Sequence, residues 1–206
     1  MAKRKKASGR RHERRQPPPS PSAGFGIEDT AEGQAIIGTL ADDITQAEAC
    51  FRAGLVAGER DLGTAVLERE AGRLGEIPEA QGYLICRRCL AQCLADTGRH
   101  AEALAECVTL ARLDAADTTV ARLLHLELLV TLRQFDAARA VCARYGDDAY
   151  TGWGYYRALV EFADGGDSTE SRRLLAAAIE ANPHVPRLML SGEQVGPDLP
   201  LVAISV

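Results

Sequence analysis

Aromatic side chains make up only 5% of the 206 residues, there is one Trp, and lysine is missing after residue 6. A core with so few large rings must be closed by small and branched aliphatic side chains. That suits helices that approach closely better than a two-sheet sandwich. No alternating run of strand length appears before residues 199–206, and that isolated stretch has nothing to pair with. No run of about 18 apolar residues exists, so a membrane-spanning helix is not expected. An export signal is not expected either, because Gly9-Arg10-Arg11 leads into Pro17-Pro18-Pro19-Ser20-Pro21 rather than an apolar stretch. The expectation is a cytoplasmic protein with its six cysteines reduced.

Catalytic signatures are also lacking. There is no phosphate-binding loop, HExxH, serine-nucleophile elbow or dinucleotide glycine pattern, and Gly24-Phe25-Gly26 and Gly152-Trp153-Gly154 are too short to cradle a phosphate. The histidines, His12, His100, His125 and His184, are scattered and form no catalytic set. The paired acids Asp42-Asp43 and Asp147-Asp148 read as helix N-terminal charges. A protein without enzymatic activity and without a cofactor is expected.

What is present divides the chain in two. The first fifteen residues hold eight of the 24 Lys and Arg and one acid, Glu13. The rest holds 16 Arg against 28 acids. A basic arm therefore precedes an acidic body, and an acidic body repels phosphates over a broad surface. Residues 1–27 are too polar and too rich in Pro, Ser and Gly to offset the cost of ordering, so a disordered arm is expected. Residues 28–46 read as a weak helix or linker interrupted by Gly33 and Gly38.

From residue 47 the pattern is helix, short break, helix. A helix over 47–57 is broken by Gly58-Glu59-Arg60, and Asp61 caps one over 62–74. Pro78 stands at a first helical position. Tyr83, Cys86, Leu90, Cys93 and Leu94 then form one apolar stripe that ends at Gly98. Helices over 100–113, 135–145 and 168–181 follow, with others capped at Thr118 or Thr119 and built around Trp153 and Tyr156. Asn182-Pro183 stops the last. The fold class is all-α, with about eight helices.

The helices recur in pairs. Ala103, Ala138 and Ser171 open successive second helices at steps of 35 and 33; Cys107, Cys142 and Leu175 repeat those steps, as do Gly98, Arg133 and Gly166 at the breaks. Leu90-Ala91, Leu94, Gly98, His100, Ala103, Cys107, Leu110, Asp114 and Ala115, with Gly166, Leu175, Ala178, Ile179, Glu180, Asn182 and Pro183, carry a pattern that resembles the tetratricopeptide repeat, or TPR. Ala91, Arg133 and Ser171 depart from it. The resemblance covers about 47–185 and implies a right-handed solenoid of helical pairs that binds a protein partner along a concave face. The segment Asn182-Pro183-His184-Val185-Pro186 also resembles the suppressor-of-tumorigenicity-7 family and related bacterial repeat proteins, where a further helix follows. Here 186–206 reads as a C-terminal extension that is truncated or leaves an apolar end in need of a partner.

Three candidate sites come from these features. Helix phase puts Arg88, Gln92, Arg122, Trp153 and Tyr156 on the groove side, where Arg and aromatic groups anchor peptides, although Trp153 and Tyr156 fit a core equally well. The arm residues Lys3, Arg4, Lys5, Lys6, Arg10 and Arg11 offer weak nucleic-acid contact, with no interleaved aromatic for base stacking. Cys86, Cys89 and Cys93 have spacings that suit a metal or redox site, with His100 or Cys107 as a further ligand, or simply a buried stripe. A buried stripe is the expectation, with no metal bound.

Overall fold

Short polar side chains open the first two helices. Thr30 Oγ1 accepts the Gly33 N–H at 3.0 Å and starts α1 (Ala31–Thr39). Asp43 Oδ1 accepts the N–H groups of Thr45 and Gln46 at 2.8 and 2.9 Å and starts α2 (Ile44–Leu62). The computed structural model describes residues 26–146, 148 and 150–191, with the side chains of Thr151 and Met189 left aside. Eight more helices follow: α3 (Thr64–Arg69), α4 (Gln81–Asp96), α5 (His100–Leu113), α6 (Arg122–Thr131), α7 (Phe135–Tyr145), α8 (Thr151–Gly165), α9 (Thr169–Ala181) and α10 (His184–Ser191). The protein is all-α: among the described residues there is no strand, only an isolated antiparallel bridge between Arg73 and Asp114. None of these helices is long and apolar enough to cross a membrane.

The N-terminal third differs most from expectation. Gly58-Glu59-Arg60 does not break α2, because the glycines there are crossing points. A Cβ on Gly58 would lie 2.7 Å from Cδ2 of Tyr83, and one on Gly54 would collide with the Cys86 sulfur. Both neighbours are on α4, so α2 and α4 approach as closely as a glycine face permits. The real break is Gly63, whose φ of +76° suits glycine and few other residues. The helix expected over 62–74 shrinks to the six residues of α3, and a turn through Gly72 (φ +89°) follows. Residues 28–46 are more than a linker. Ala31, Gly33, Ala35 and Gly38 of α1 are buried, and α1 packs on both α2 and α4.

From α4 to α9 each helix packs against its neighbour in the chain, and α6 also touches α8. The three break positions share a backbone state: φ is +76° at Gly98, +58° at Arg133 and +62° at Gly166. The first two breaks are built alike. Gly98 and Arg99 donate N–H bonds to the carbonyls of Ala95 and Leu94; Arg133 and Gln134 donate to those of Val130 and Leu129. Five residues on, Ala103, Ala138 and Ser171 are all buried. Neither Thr118 nor Thr119 caps α6: Ala121 stands at its N-cap, the Asp117 carboxylate accepts the Arg122 N–H from outside the helix, and Thr118 turns back to donate its N–H and hydroxyl to Asp114.

The larger core cluster runs through Phe51, Cys86, Leu90, Leu94, Cys107, Leu126, Leu128 and Trp153. A second gathers Leu74, Tyr83, Leu84, Leu110 and Leu113. Each fully buried Leu contributes about 2 kcal/mol through removal of apolar surface from water. The repeat position breaks this rule once: Cys107 and Cys142 are buried, but Leu175 is 44% exposed. α5 is packed by α6 and α7 by α8, but past α9 the described residues offer only α10. The short α10 covers only one edge, and His184 begins it rather than lying in a loop.

Candidate functional site

The five residues assigned to the groove divide into two groups. Arg122 and Trp153 belong to the fold. The Arg122 guanidinium pairs with Asp117 at 2.7 Å and with Asp148 at 2.5 Å, and it lies 5.8 Å from the centre of the Tyr145 ring. It therefore fastens the α5–α6 connection to the α7–α8 connection. Burial works upward on the Asp148 carboxyl, but the hydrogen bonds from Arg122 and the Tyr150 N–H hold it below the usual carboxylate range. Trp153 is 1% exposed; its Nε1 donates to the Gly146 carbonyl at 2.9 Å, and Tyr145 packs edge-on at 6.1 Å. With its polar tip satisfied and both faces covered, Trp153 has no surface left for a guest. The groove assignment of these two residues is therefore corrected.

Arg88, Gln92 and Tyr156 remain partly open. On α4, Arg88 donates to the Gln92 side-chain oxygen at 3.3 Å, and Gln92 donates to Asp96 at 2.8 Å, a ladder at four-residue spacing. Glu127 of α6 sits in the field of this ladder. Loss of water around its carboxyl raises its pKa, and Asp96 adds to the rise, while Arg88 and His100 pull the other way. Tyr156 of α8 lies in turn within the field of Glu127, and burial foremost pushes its hydroxyl up to about 12. Side chains on α4 and α8 thus share an electrostatic environment with Glu127 of α6. Periodicity found Arg88, Gln92 and Tyr156 but missed Glu127, which lies one turn and a half beyond Arg122 on the same helix. The 35-residue step applied to Gln92 would have reached it.

The cysteine stripe is a packing feature. Cys86 and Cys93 are buried and Cys89 is half-buried. Burial pushes Cys86 to about 12 and Cys93 to about 11, and each of these thiols also feels Cys89. Cys86 donates weakly to the Ala31 carbonyl at 3.2 Å, which ties α4 to α1. Thiols shifted this way are poor nucleophiles at neutral pH, since attack requires the thiolate. Among the described residues no group of three or more His, Cys, Asp or Glu is placed to hold a metal ion.

Arg87, inside this motif, is a buried and paired charge. It is 8% exposed, it pairs with Glu106, and it donates to the Tyr83 hydroxyl at 2.6 Å. The arm residues Lys3, Arg4, Lys5, Lys6, Arg10 and Arg11 lie outside the described residues.

A second feature escaped periodicity altogether. Between α8, α9 and α10 runs an apolar groove of about 620 Å³, lined by Tyr155, Tyr156, Leu159, Phe162, Leu175 and Ile179, with Val185, Pro186 and Leu190 along the α10 edge. Leu159, Phe162, Leu175 and Ile179 are between 39% and 53% exposed. In the sequence these side chains look like ordinary core positions of an amphipathic helix; among the described residues no further helix lies over them.

No family model, curated protein or solved structure matches this chain.

Proposed function

We propose that this chain is a TPR-like stack of helical pairs from α4 to α9 that binds a segment of another protein along the face shared by α4, α6 and α8, without catalysis. The repeat reading is supported by the common positive φ at positions 98, 133 and 166 and by the buried small residue five positions later in each unit. The observation that carries the binding reading is the linked polar row Arg88, Gln92, Asp96, Glu127 and Tyr156. Its members come from α4, α6 and α8: Arg88 bonds Gln92 and Gln92 bonds Asp96, while Glu127 lies in the field of Asp96 and Arg88, and Tyr156 in that of Glu127. Arg88 and Gln92 offer donors to a peptide's carbonyl or carboxylate groups. Asp96 and Glu127 accept from its amides or basic side chains, and Tyr156 supplies an amphipathic surface.

The expected partner is an extended polypeptide of mixed charge. The test compares affinity capture by the wild-type chain with capture by the Arg88→Ala/Gln92→Ala and Glu127→Ala variants. Each variant is first checked for unchanged helicity. A protein retained by the wild type and lost from both variants supports the reading. Capture indifferent to all three positions overturns it.

A further inference from the structure

The apolar groove at the α9 end is a separate surface from the polar row and touches it only at Tyr156. Its existence follows from the repeat register. Position 107 is buried in one unit and position 142 in the next, because a further helix lies over each; at Leu175 no described helix does so. Leu159 and Phe162 of α8 and Ile179 of α9 are left open beside it. Four large apolar side chains thus lie together on one wall. The eight residues of α10 give the groove an edge but not a cover.

The sequence beyond α10 has the composition of a cover. Residues 199–206 read Leu-Pro-Leu-Val-Ala-Ile-Ser-Val, with no charge and a single polar side chain. Both acids of the segment, Glu193 and Asp198, fall in the connecting stretch 192–198, together with Gly192, Gly196 and Pro197. That connector starts beside the groove, since Leu190 forms part of its edge and Ser191 is the last described residue. Seven residues reach at most about 25 Å, roughly twice the ~12 Å length of an eight-residue helix. The connector is therefore long enough to turn back over α8 and α9. A segment tethered this way competes at an effective concentration in the millimolar range, which favours it over a free partner of similar composition.

We propose that residues 199–206 of this chain lie in the groove between α8, α9 and α10, with their Leu, Val and Ile side chains against Leu159, Phe162, Leu175 and Ile179. The segment does for the last pair what a following pair does for the others. Pro200 removes one backbone donor that an apolar groove would leave unpaired.

The test uses the full chain carrying a photo-reactive phenylalanine analogue at Phe162 and, in a second variant, at Leu159, so that one poorly folding substitution does not decide the matter. Isotopically light and heavy copies are mixed at low concentration, irradiated and mapped by mass spectrometry. The expected result is cross-linking within one copy to residues 199–206 from both positions. A Leu201→Glu/Ile204→Glu change should remove the cross-links and raise binding of a hydrophobic dye several-fold. Cross-links joining light to heavy copies would assign the groove to a second copy of the chain and overturn the proposal. So would the absence of any cross-link to 199–206, or dye binding unchanged by the double substitution. The reading of the polar row makes no prediction for these cross-links, so the two stand or fall separately.

Discussion

Arg133 holds a backbone state that costs an L-residue with a Cβ. Its φ of +58° matches that of the glycines at the equivalent breaks, and the two hydrogen bonds that close the turn leave it no other choice. Replacement by Gly relieves the steric cost, while the freer unfolded chain takes some of the gain back. Arg133→Gly is expected to raise unfolding free energy by about 0.5–1 kcal/mol, read as a higher urea midpoint at unchanged slope. A lower midpoint would mean that the Arg133 side chain makes a contribution larger than its backbone strain. The same scale explains the fate of the two large groove candidates. Arg122 is fixed by Asp117 and Asp148, and Trp153 by Gly146 and Tyr145, so both are consumed by the α6–α8 packing before any partner arrives.

Among the elements, α2 and α4 show what a glycine inside a helix can mean. An Ala in a helix interior is ordinarily favoured over Gly by about 1 kcal/mol. At position 58 the added methyl would stand 2.7 and 2.8 Å from atoms of Tyr83, itself fixed by Arg87 and buried. Gly58→Ala is therefore expected to lower stability by about 1–3 kcal/mol, seen as a drop in Tm; a rise would show that the α2–α4 crossing is looser than drawn. The same position marks the limit of what the sequence reveals. A glycine at a break and a glycine at a crossing look identical in one dimension. Gly98 and Gly166 were read rightly because the period supported them, and Gly58 was misread because no repeat constrained it. Helix phase puts Arg88, Gln92 and Tyr156 on a side where they stay partly open. For Trp153 it leaves groove and core alike open, and Tyr145 and Gly146 on another element decide for the core. Pro186 opens the stretch read as a C-terminal extension, yet it lies in the first turn of α10, where its missing N–H has no intrahelical acceptor to lose.

For the molecule as a whole, charges link helices that are distant in sequence. Glu48 of α2 meets Arg99 at the α4–α5 turn at 2.8 Å, and Glu127 of α6 feels Asp96, Arg88 and His100. Because the folded chain raises the Glu127 pKa above its ordinary 4.5, it holds that proton more tightly than the unfolded chain does. The resulting stabilisation is complete below the ordinary value and is lost as pH rises through the raised one. Glu127→Gln, which mimics the protonated form, is therefore expected to raise Tm at pH 7 and to leave it nearly unchanged at pH 4; equal effects at both would rule out this coupling. The cysteines add a whole-molecule consequence of their own. Cys86, Cys93, Cys107 and Cys142 are sealed inside the helical packing, with burial raising each thiol. Alkylating reagents at neutral pH should reach them only when helices part. The rate at which these four thiols are modified is then a clock of how often the native protein breathes open.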